Sequence, residues 1–185
     1  MNQFVTFLCI AAFQWIQACA TKDPSTEQQS KTQYKGSVSE IFAVEARADR
    51  SPNFTWTDDA GRKVTFDQFH NKVTVLNFWA TWCGPCRREI PDLEAIHKEY
   101  ADKGVRVIGV SVDRGPGILD EVAKFVRSYN VSYPVVIDNG DLEQIFGNIR
   151  AIPTTFIINK EGKIVERFVG QRTKEAFLEK ITPIL

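Results

Sequence analysis

The sequence lacks an excess of charge of either sign. Lys and Arg together number 23, and so do Asp and Glu, which leaves a formal net charge of zero at pH 7. A protein that is held to nucleic acid by its overall electrostatic field carries a clear positive excess. We therefore predict no nucleic-acid partner for this chain.

Long apolar runs are absent after residue 20, so no membrane-spanning helix is expected there. Residues 4–16 form an apolar segment of signal-peptide length. Residues 16–19, Ile-Gln-Ala-Cys, resemble a bacterial lipobox and predict lipidation of Cys19, while residues 18–20 also fit an ordinary cleavage site between small residues. Residues 1–19 are thus predicted to be a signal peptide, a lipoprotein leader or an uncleaved anchor.

Each of these three outcomes places the domain outside the cytoplasm. We favour a membrane-anchored lipoprotein that faces the periplasm, and the remaining alternative is a cytosolic protein with an apolar leader. The polar residues that follow predict a flexible tether over 20–48. Residues 49–185 are predicted to fold as one domain, because an apolar fraction of 43% supports a sizeable core.

Cysteine is scarce, and two of the four cysteines, Cys9 and Cys19, fall in the leader. The other two, Cys83 and Cys86, lie between an apolar run at 73–79, typical of a buried strand, and an amphipathic segment that predicts a helix to about residue 100. The free N–H groups of a first helical turn stabilise a thiolate, so Cys83 is predicted to be the nucleophile. Cys86 lies one turn further on and is placed to attack a sulfur bonded to Cys83.

The two residues between the cysteines fit this interpretation. Gly84 allows the backbone of a partner to come close, and Pro85 suits the first position of a helix. A structural disulfide is an alternative, but so short a loop would constrain little of the unfolded chain. A zinc site would need two more ligands, and His70 and His97 are isolated in the sequence. We therefore predict no metal.

The order of predicted elements indicates an α/β domain with a mixed sheet flanked by helices. A β-hairpin at 54–57 and 63–66 comes first, and the order β-α-β-α-β-α-β-β-α follows. Pro91 lies inside the first helix and is expected to kink it. In such sheets the chemistry lies beyond the carboxyl ends of the parallel strands, where the cysteine pair is expected.

Residues 76–86 and 152–156 together resemble the thioredoxin superfamily, and within it the exported TlpA/ResA-like thiol–disulfide oxidoreductases. The likeness covers about residues 50–185, and the segment near 113–133 resembles an insertion typical of the TlpA-like branch. It implies a thioredoxin-like fold and a cis peptide bond before Pro153. The backbone of Ile152 would then pair with an extended substrate segment like an added strand. Trp79 and Trp82 are predicted to form walls of the site. Core packing is the alternative, and Trp79 could serve in both ways.

The chain departs from cytosolic thioredoxins at Asn77, where those proteins have a buried Asp. Asn cannot accept a proton, so another residue must do so. Glu89 matches a Glu of ResA-like proteins and lies one helical turn from Cys86, where a half-buried carboxylate could take the thiol's proton. The alternative is a solvated first-turn Glu that favours the helix dipole.

The resemblance implies thiol–disulfide exchange without a cofactor. The Gly84–Pro85 pair is that of reducing thioredoxins, so the predicted direction is reductive, with a protein disulfide as substrate and apocytochrome c as the first candidate. Electrons would come from a membrane protein of the CcdA or DsbD type, and a monomer is expected. The alternatives are a thiol-dependent peroxidase, which would need Thr or Ser where Ala80 stands, and a copper-handling protein, which would want wider cysteine spacing and a His.

Overall fold

The computed structural model describes residues 36–185, and within them eight strands and four α-helices follow one another. The strands are β1 Val38–Glu45, β2 Asn53–Thr57, β3 Lys63–Thr65, β4 Val73–Trp79, β5 Val105–Ser111, β6 Val135–Ile137, β7 Thr154–Ile158 and β8 Ile164–Val169. The helices are α1 Gly84–Tyr100, α2 Ile118–Ser128, α3 Asp141–Ile145 and α4 Lys174–Ile181. The order predicted from the sequence is confirmed, with one additional strand, β1, at its start.

All eight strands belong to one mixed sheet in the order β3-β2-β1-β6-β5-β4-β7-β8. Strand β4 pairs in parallel with β5 and antiparallel with β7. Parallel pairing continues from β5 to β6 and from β6 to β1, whereas β1–β2, β2–β3 and β7–β8 are antiparallel. The carboxyl ends of β4, β5 and β6 therefore meet at one edge, as the predicted α/β architecture requires.

The core lies on both faces of the sheet because β4 is buried on both sides. Val75 and Trp79 pack with the apolar residues of α1, α2 and α4. Leu76 and Phe78 point the other way and pack with α3 and with the β2–β3 hairpin. This strand of seven buried residues explains why the sequence shows a continuous apolar run there rather than an alternation.

The predicted hairpin is confirmed, and its aromatic side chains cover the second face of the sheet. Phe54 stacks on Phe66 with ring centroids 4.8 Å apart, and Trp56 stacks on Phe69 at 5.9 Å. All four side chains are buried. Burying aromatic rings of this size makes the hairpin an integral part of the domain.

The tether predicted for residues 20–48 is wrong in its last part, because residues 38–45 form β1 and the folded unit begins well before residue 49. Strand β1 joins the hairpin to the rest of the sheet, pairing with β2 on one side and β6 on the other. Only Ile41 of its eight residues is buried, so the strand carries too weak an apolar alternation to be detected. The leader and the first part of the tether lie outside the described residues.

Two further predictions concern the connections around the site. The segment near 113–133 contains α2, which forms the crossover between the parallel strands β5 and β6. Pro91 lies inside α1, as predicted. Within residues 36–185 no helix combines the length and the apolar character that a bilayer crossing needs.

Candidate active site

The cysteine pair lies where β4 leads into α1, at the carboxyl edge of the parallel strands. Cys83 occupies the N-cap position of α1, and its Sγ accepts a hydrogen bond from the Cys86 N–H at 3.2 Å. Pro85 lies in the first turn, where its missing N–H costs no helical hydrogen bond. Cys83 and Cys86 form a disulfide with Cα atoms 5.3 Å apart. The structure thus represents the oxidised form.

The two cysteines differ in their exposure to solvent. Cys83 retains 5% of its surface exposed and Cys86 retains 1%. Trp82 stands immediately beside Cys83 and is 69% exposed, so a large apolar surface faces solvent next to the disulfide. Trp79, by contrast, is 1% exposed and packs on Phe125 with centroids 5.0 Å apart. Of the two tryptophans predicted to wall the site, Trp79 therefore belongs to the core.

The loop before β7 faces the cysteine pair across the sheet edge. The Ile152–Pro153 peptide bond is cis, as the sequence predicts. The carbonyl oxygen of Ile152 lies 3.8 Å from the Sγ of Cys83. The Pro153 carbonyl accepts a hydrogen bond from the Gly170 N–H at 2.8 Å, which ties this loop to the segment before α4.

Glu89 is fully buried, so the solvated alternative for this residue is wrong. Its Oε2 accepts a hydrogen bond from the Asn77 side-chain amide at 2.9 Å, and its Oε1 accepts one from the Arg172 backbone N–H at 2.8 Å. Burial raises the pKa of Glu89 to about 7, although these two hydrogen bonds pull the pKa in the opposite direction. The carboxyl can therefore change its protonation state near neutral pH.

Asn77 links this carboxyl to the strand beside it. Its amide nitrogen donates a hydrogen bond to Glu89 and a second one to the Thr155 hydroxyl at 2.8 Å. Asn77 lies on β4 and Thr155 on its antiparallel neighbour β7, where the two residues face each other. Where cytosolic thioredoxins have a buried Asp, this chain thus has Asn77, whose amide donates a hydrogen bond to Glu89 and orients it.

Sequence reasoning missed Asp113, which holds the loop that leads to Cys83. Its buried carboxylate accepts hydrogen bonds from the Thr81 N–H at 3.0 Å, from the Thr81 hydroxyl at 2.7 Å and from the Ser111 hydroxyl at 2.7 Å. A carboxylate two residues after a buried parallel strand lies at the edge where such sites form, and this was the signal that could have found it.

The side chains that a metal site or a thiol peroxidase would use are not arranged for either role in the described residues. His97 packs edge-on against Tyr133, and His70 lies 3.3 Å from Asp67. In the part of the chain that the structure describes, His, Cys, Asp and Glu side chains form no group of three suited to a metal ion. Ala80 is buried at the position where a thiol peroxidase would need a hydroxyl. Cys9 and Cys19 lie outside the described residues.

Comparison with known proteins agrees with this arrangement. Residues 48–167 match the model of the AhpC/TSA family. The thiol-disulfide oxidoreductase ResA of a Bacillus cereus strain is 39% identical over 140 residues, which cover 72% of this chain and 77% of that protein. The thioredoxin-like protein YneN of Bacillus subtilis (strain 168) is 34% identical over 132 residues, covering 71% and 76%.

The solved structures add a match over most of this chain. The thiol:disulfide interchange protein of Chlorobium tepidum TLS, a thioredoxin family protein, superposes with a TM-score of 0.66 at 30% identity, covering 76% of this chain and 98% of that one. The identity of 30% is more than a shared fold alone requires. The chain therefore belongs to the AhpC/TSA family and, within the thioredoxin-like fold, to the ResA-type thiol–disulfide oxidoreductases.

Proposed function

We propose that this chain reduces disulfides of other proteins outside the cytoplasm, with Cys83 as the attacking thiol and Cys86 as the resolving thiol. The observation that carries the proposal is the position of the pair. Cys83 caps the N-terminus of α1, is the more exposed of the two and lies 3.8 Å from the Ile152 carbonyl. A thiolate at this position is stabilised by the N–H groups of the first helical turn.

The reduction of a substrate disulfide proceeds in two successive thiol–disulfide exchanges. The Cys83 thiolate attacks one sulfur of the substrate cystine, a mixed disulfide forms, and the second substrate sulfur leaves as a thiolate that takes up a proton. The Cys86 thiolate then attacks the sulfur of Cys83 and releases the first substrate sulfur, also as a thiolate. Two electrons have passed to the substrate, and the chain is left with the Cys83–Cys86 disulfide. No cofactor takes part.

Glu89 is proposed as the acceptor of the Cys86 proton. It lies one turn from Cys86 on α1, is shielded from water, and has a pKa raised to about 7 by burial. A base with a pKa near the working pH can both take up and return a proton. The Asn77 amide and the Arg172 N–H hold the carboxyl in place for this step.

The surface around Cys83 suits a polypeptide substrate. Trp82 offers an exposed aromatic surface beside the disulfide, and Gly84 brings no side chain that would keep a partner backbone away. The Ile152 backbone, held beside Cys83 by the turn at Pro153, is proposed to pair with an extended substrate segment.

Direction, location and partners follow from the resemblance to exported reductases. The Gly84–Pro85 pair supports a reducing role, and the apolar leader with Cys19 supports a lipid-anchored protein that faces the periplasm. Such a reductase must receive electrons through the membrane, and a CcdA- or DsbD-type protein would supply them. The proposed substrate is the cysteine pair of an apocytochrome c before haem attachment, reduced by a monomer of this chain.

Trapping of a mixed disulfide between this chain and a substrate tests the roles of the two cysteines. The reduced Cys86→Ser variant, mixed with a disulfide-bonded protein, is expected to accumulate a mixed disulfide through Cys83, which mass spectrometry of the cross-linked peptide identifies. Cys83→Ser serves as the matched control and should form none. If Cys86→Ser turns over like the wild type, the two-cysteine mechanism is wrong.

Two further measurements test the direction and the proton acceptor. A reducing role predicts a potential for the Cys83–Cys86 pair nearer to about −270 mV, as in thioredoxin, than to about −120 mV, as in the oxidant DsbA. A potential at the oxidising end would contradict it.

Glu89→Gln is expected to shift the pH profile of the exchange rate, and an unchanged profile would remove Glu89 from the mechanism.

A further inference from the structure

We propose that four arginines around the disulfide select protein segments that carry acidic residues next to their cystine. Arg87, Arg88, Arg150 and Arg172 are here called the arginine rim. The proposal rests on the proposed function, since it concerns which protein disulfides the same site reaches. It does not depend on the direction of electron flow.

Two members of the rim come from the start of α1. Arg87 and Arg88 directly follow Cys86 and are both exposed. The Nε of Arg88 donates a hydrogen bond to the Gln171 side-chain oxygen at 3.1 Å. The start of α1 therefore meets the loop before α4.

The other two members come from the loops that face the cysteines. The backbone N–H of Arg172 binds the Glu89 carboxyl, and the guanidinium lies over the ring of Phe168, 5.4 Å from its centroid. Arg150 is exposed and stands two residues before Ile152, whose carbonyl lies 3.8 Å from the Cys83 Sγ. The arginines of the rim thus come from three segments that are distant in the sequence: the start of α1, the loop before β7 and the loop before α4.

The guanidinium groups of the rim are not held in ion pairs within the described part of the chain. Within residues 36–185, no guanidinium of the rim lies within ion-pair distance of a carboxylate. Elsewhere in the same part of the chain, arginines commonly pair with acids, as Arg47, Arg50, Arg62 and Arg114 do.

The carboxylates of Glu89 and Asp92 lie close to the rim and offset part of this charge. The buried Glu89 carboxyl accepts a hydrogen bond from the Arg172 N–H and interacts with the Arg172 charge, while Asp92 lies half-buried on the third turn of α1. The four guanidinium groups still outnumber them. Since the chain as a whole carries no net charge, the positive excess is a local feature of the active-site surface.

The chemistry of the opening defines the partner. A disulfide at the centre requires a cystine, and Trp82, which is 69% exposed, favours an apolar side chain beside it. Guanidinium groups bind carboxylates through paired hydrogen bonds, and their field speeds the approach of a negatively charged segment. The fitting partner is an extended, cystine-bearing segment with Asp or Glu near the cystine, and a Lys-rich segment is disfavoured.

The test compares three cystine peptides of equal length and loop size, flanked by Glu, by Ser or by Lys. The pre-reduced full chain is mixed with each peptide, and the second-order rate of exchange is measured. At an ionic strength of about 10 mM the Glu peptide is expected to react about tenfold faster than the Lys peptide, since the Debye length is then about 30 Å. At 1 M, where the Debye length is about 3 Å, the two rates should agree within about twofold.

Charge reversal assigns the preference to the rim. Arg87→Glu combined with Arg150→Glu is expected to remove or invert the ratio of Glu-peptide to Lys-peptide rates. The control combines Lys160→Glu with Lys163→Glu, which makes the same change of net charge in the β7–β8 turn. That turn follows the end of β7 distant from Pro153 and hence from the disulfide, so the ratio should persist.

Two results would overturn the proposal: equal rates for the Glu and Lys peptides in the wild type at low ionic strength, or an equal effect of the two charge reversals. The Ser peptide separates this outcome from a failure of the proposed function. If the wild type exchanges with the Ser peptide but shows no charge preference, only the selection by the rim is wrong. If no peptide reacts, the proposed exchange itself fails, and the selection with it.

Discussion

Replacing Glu89 by Gln should remove a pH dependence of stability that this carboxyl imposes on the fold. Burial raises the pKa of Glu89 from 4.5 to about 7. In the unfolded chain the group ionises near its ordinary value, so between these two pH values the folded form holds a proton that the unfolded form has lost. The free energy of unfolding therefore falls as the pH rises through this window.

The size of the effect follows from the two pKa values. Holding the charged carboxylate in this site costs about 3 kcal/mol above pH 7, of which about 2.5 kcal/mol develops between pH 5 and pH 8. The Gln amide also turns its NH₂ group towards one of the two donors, the Asn77 amide or the Arg172 N–H, which costs about 1–3 kcal/mol at every pH. The difference between variant and wild type should therefore change by about 2.5 kcal/mol in favour of the variant from pH 5 to pH 8.

Urea denaturation of the oxidised proteins at pH 5 and pH 8 measures this difference. Glu94→Gln is the matched control, since Glu94 is also a buried Glu of α1. Burial raises the pKa of Glu94, but hydrogen bonds from Ser132 and the Lys98 ammonium outweigh that effect and leave the pKa lowered. Glu94 therefore titrates below this window, and its variant should show no such change. Parallel pH dependences of wild type and Glu89→Gln would refute the raised pKa.

Two further predictions concern the packing that positions the site. Asp113→Asn leaves a donor of Thr81 or Ser111 facing an NH₂ group and should lower the free energy of unfolding by about 1–3 kcal/mol in urea titrations, whereas the exposed Asp59→Asn should change it by less than about 0.5 kcal/mol. Gly109→Ala would place a Cβ 2.9 Å from the Nε1 of the buried Trp79 and should cost about 1–3 kcal/mol in thermal unfolding. Gly84→Ala meets nothing closer than 3.7 Å and serves as its control; equal losses for both glycines would contradict the packing argument.

The sequence predicts the central part of this molecule well because the signals there are local. Strands β4 and β5 are buried on both faces and appear as apolar runs, and the cysteines follow β4 directly. The cis bond before Pro153 was predicted from the family resemblance and is confirmed. Each of these features depends on residues that are neighbours along the chain, so a short stretch of sequence is enough to predict it.

The features that the sequence could not give depend on contacts between distant segments. Whether Glu89 is buried is decided by the Arg172 N–H, 83 residues away, and by Asn77 on the neighbouring strand. Asp113 meets Thr81 across 32 residues. Strand β1 has no clear sequence signal, because it buries only Ile41 and depends on its two neighbouring strands for its place in the sheet.

Graded alkylation of the reduced protein tests the central claim that Cys83 is the attacking thiol. The full chain is reduced, treated with iodoacetamide at pH 7 for increasing times and mapped by mass spectrometry. We expect Cys83 to be modified well before Cys86, because Cys83 caps α1 and is the more exposed of the two. Modification of Cys86 first, or no modification of Cys83 at this pH, would contradict it.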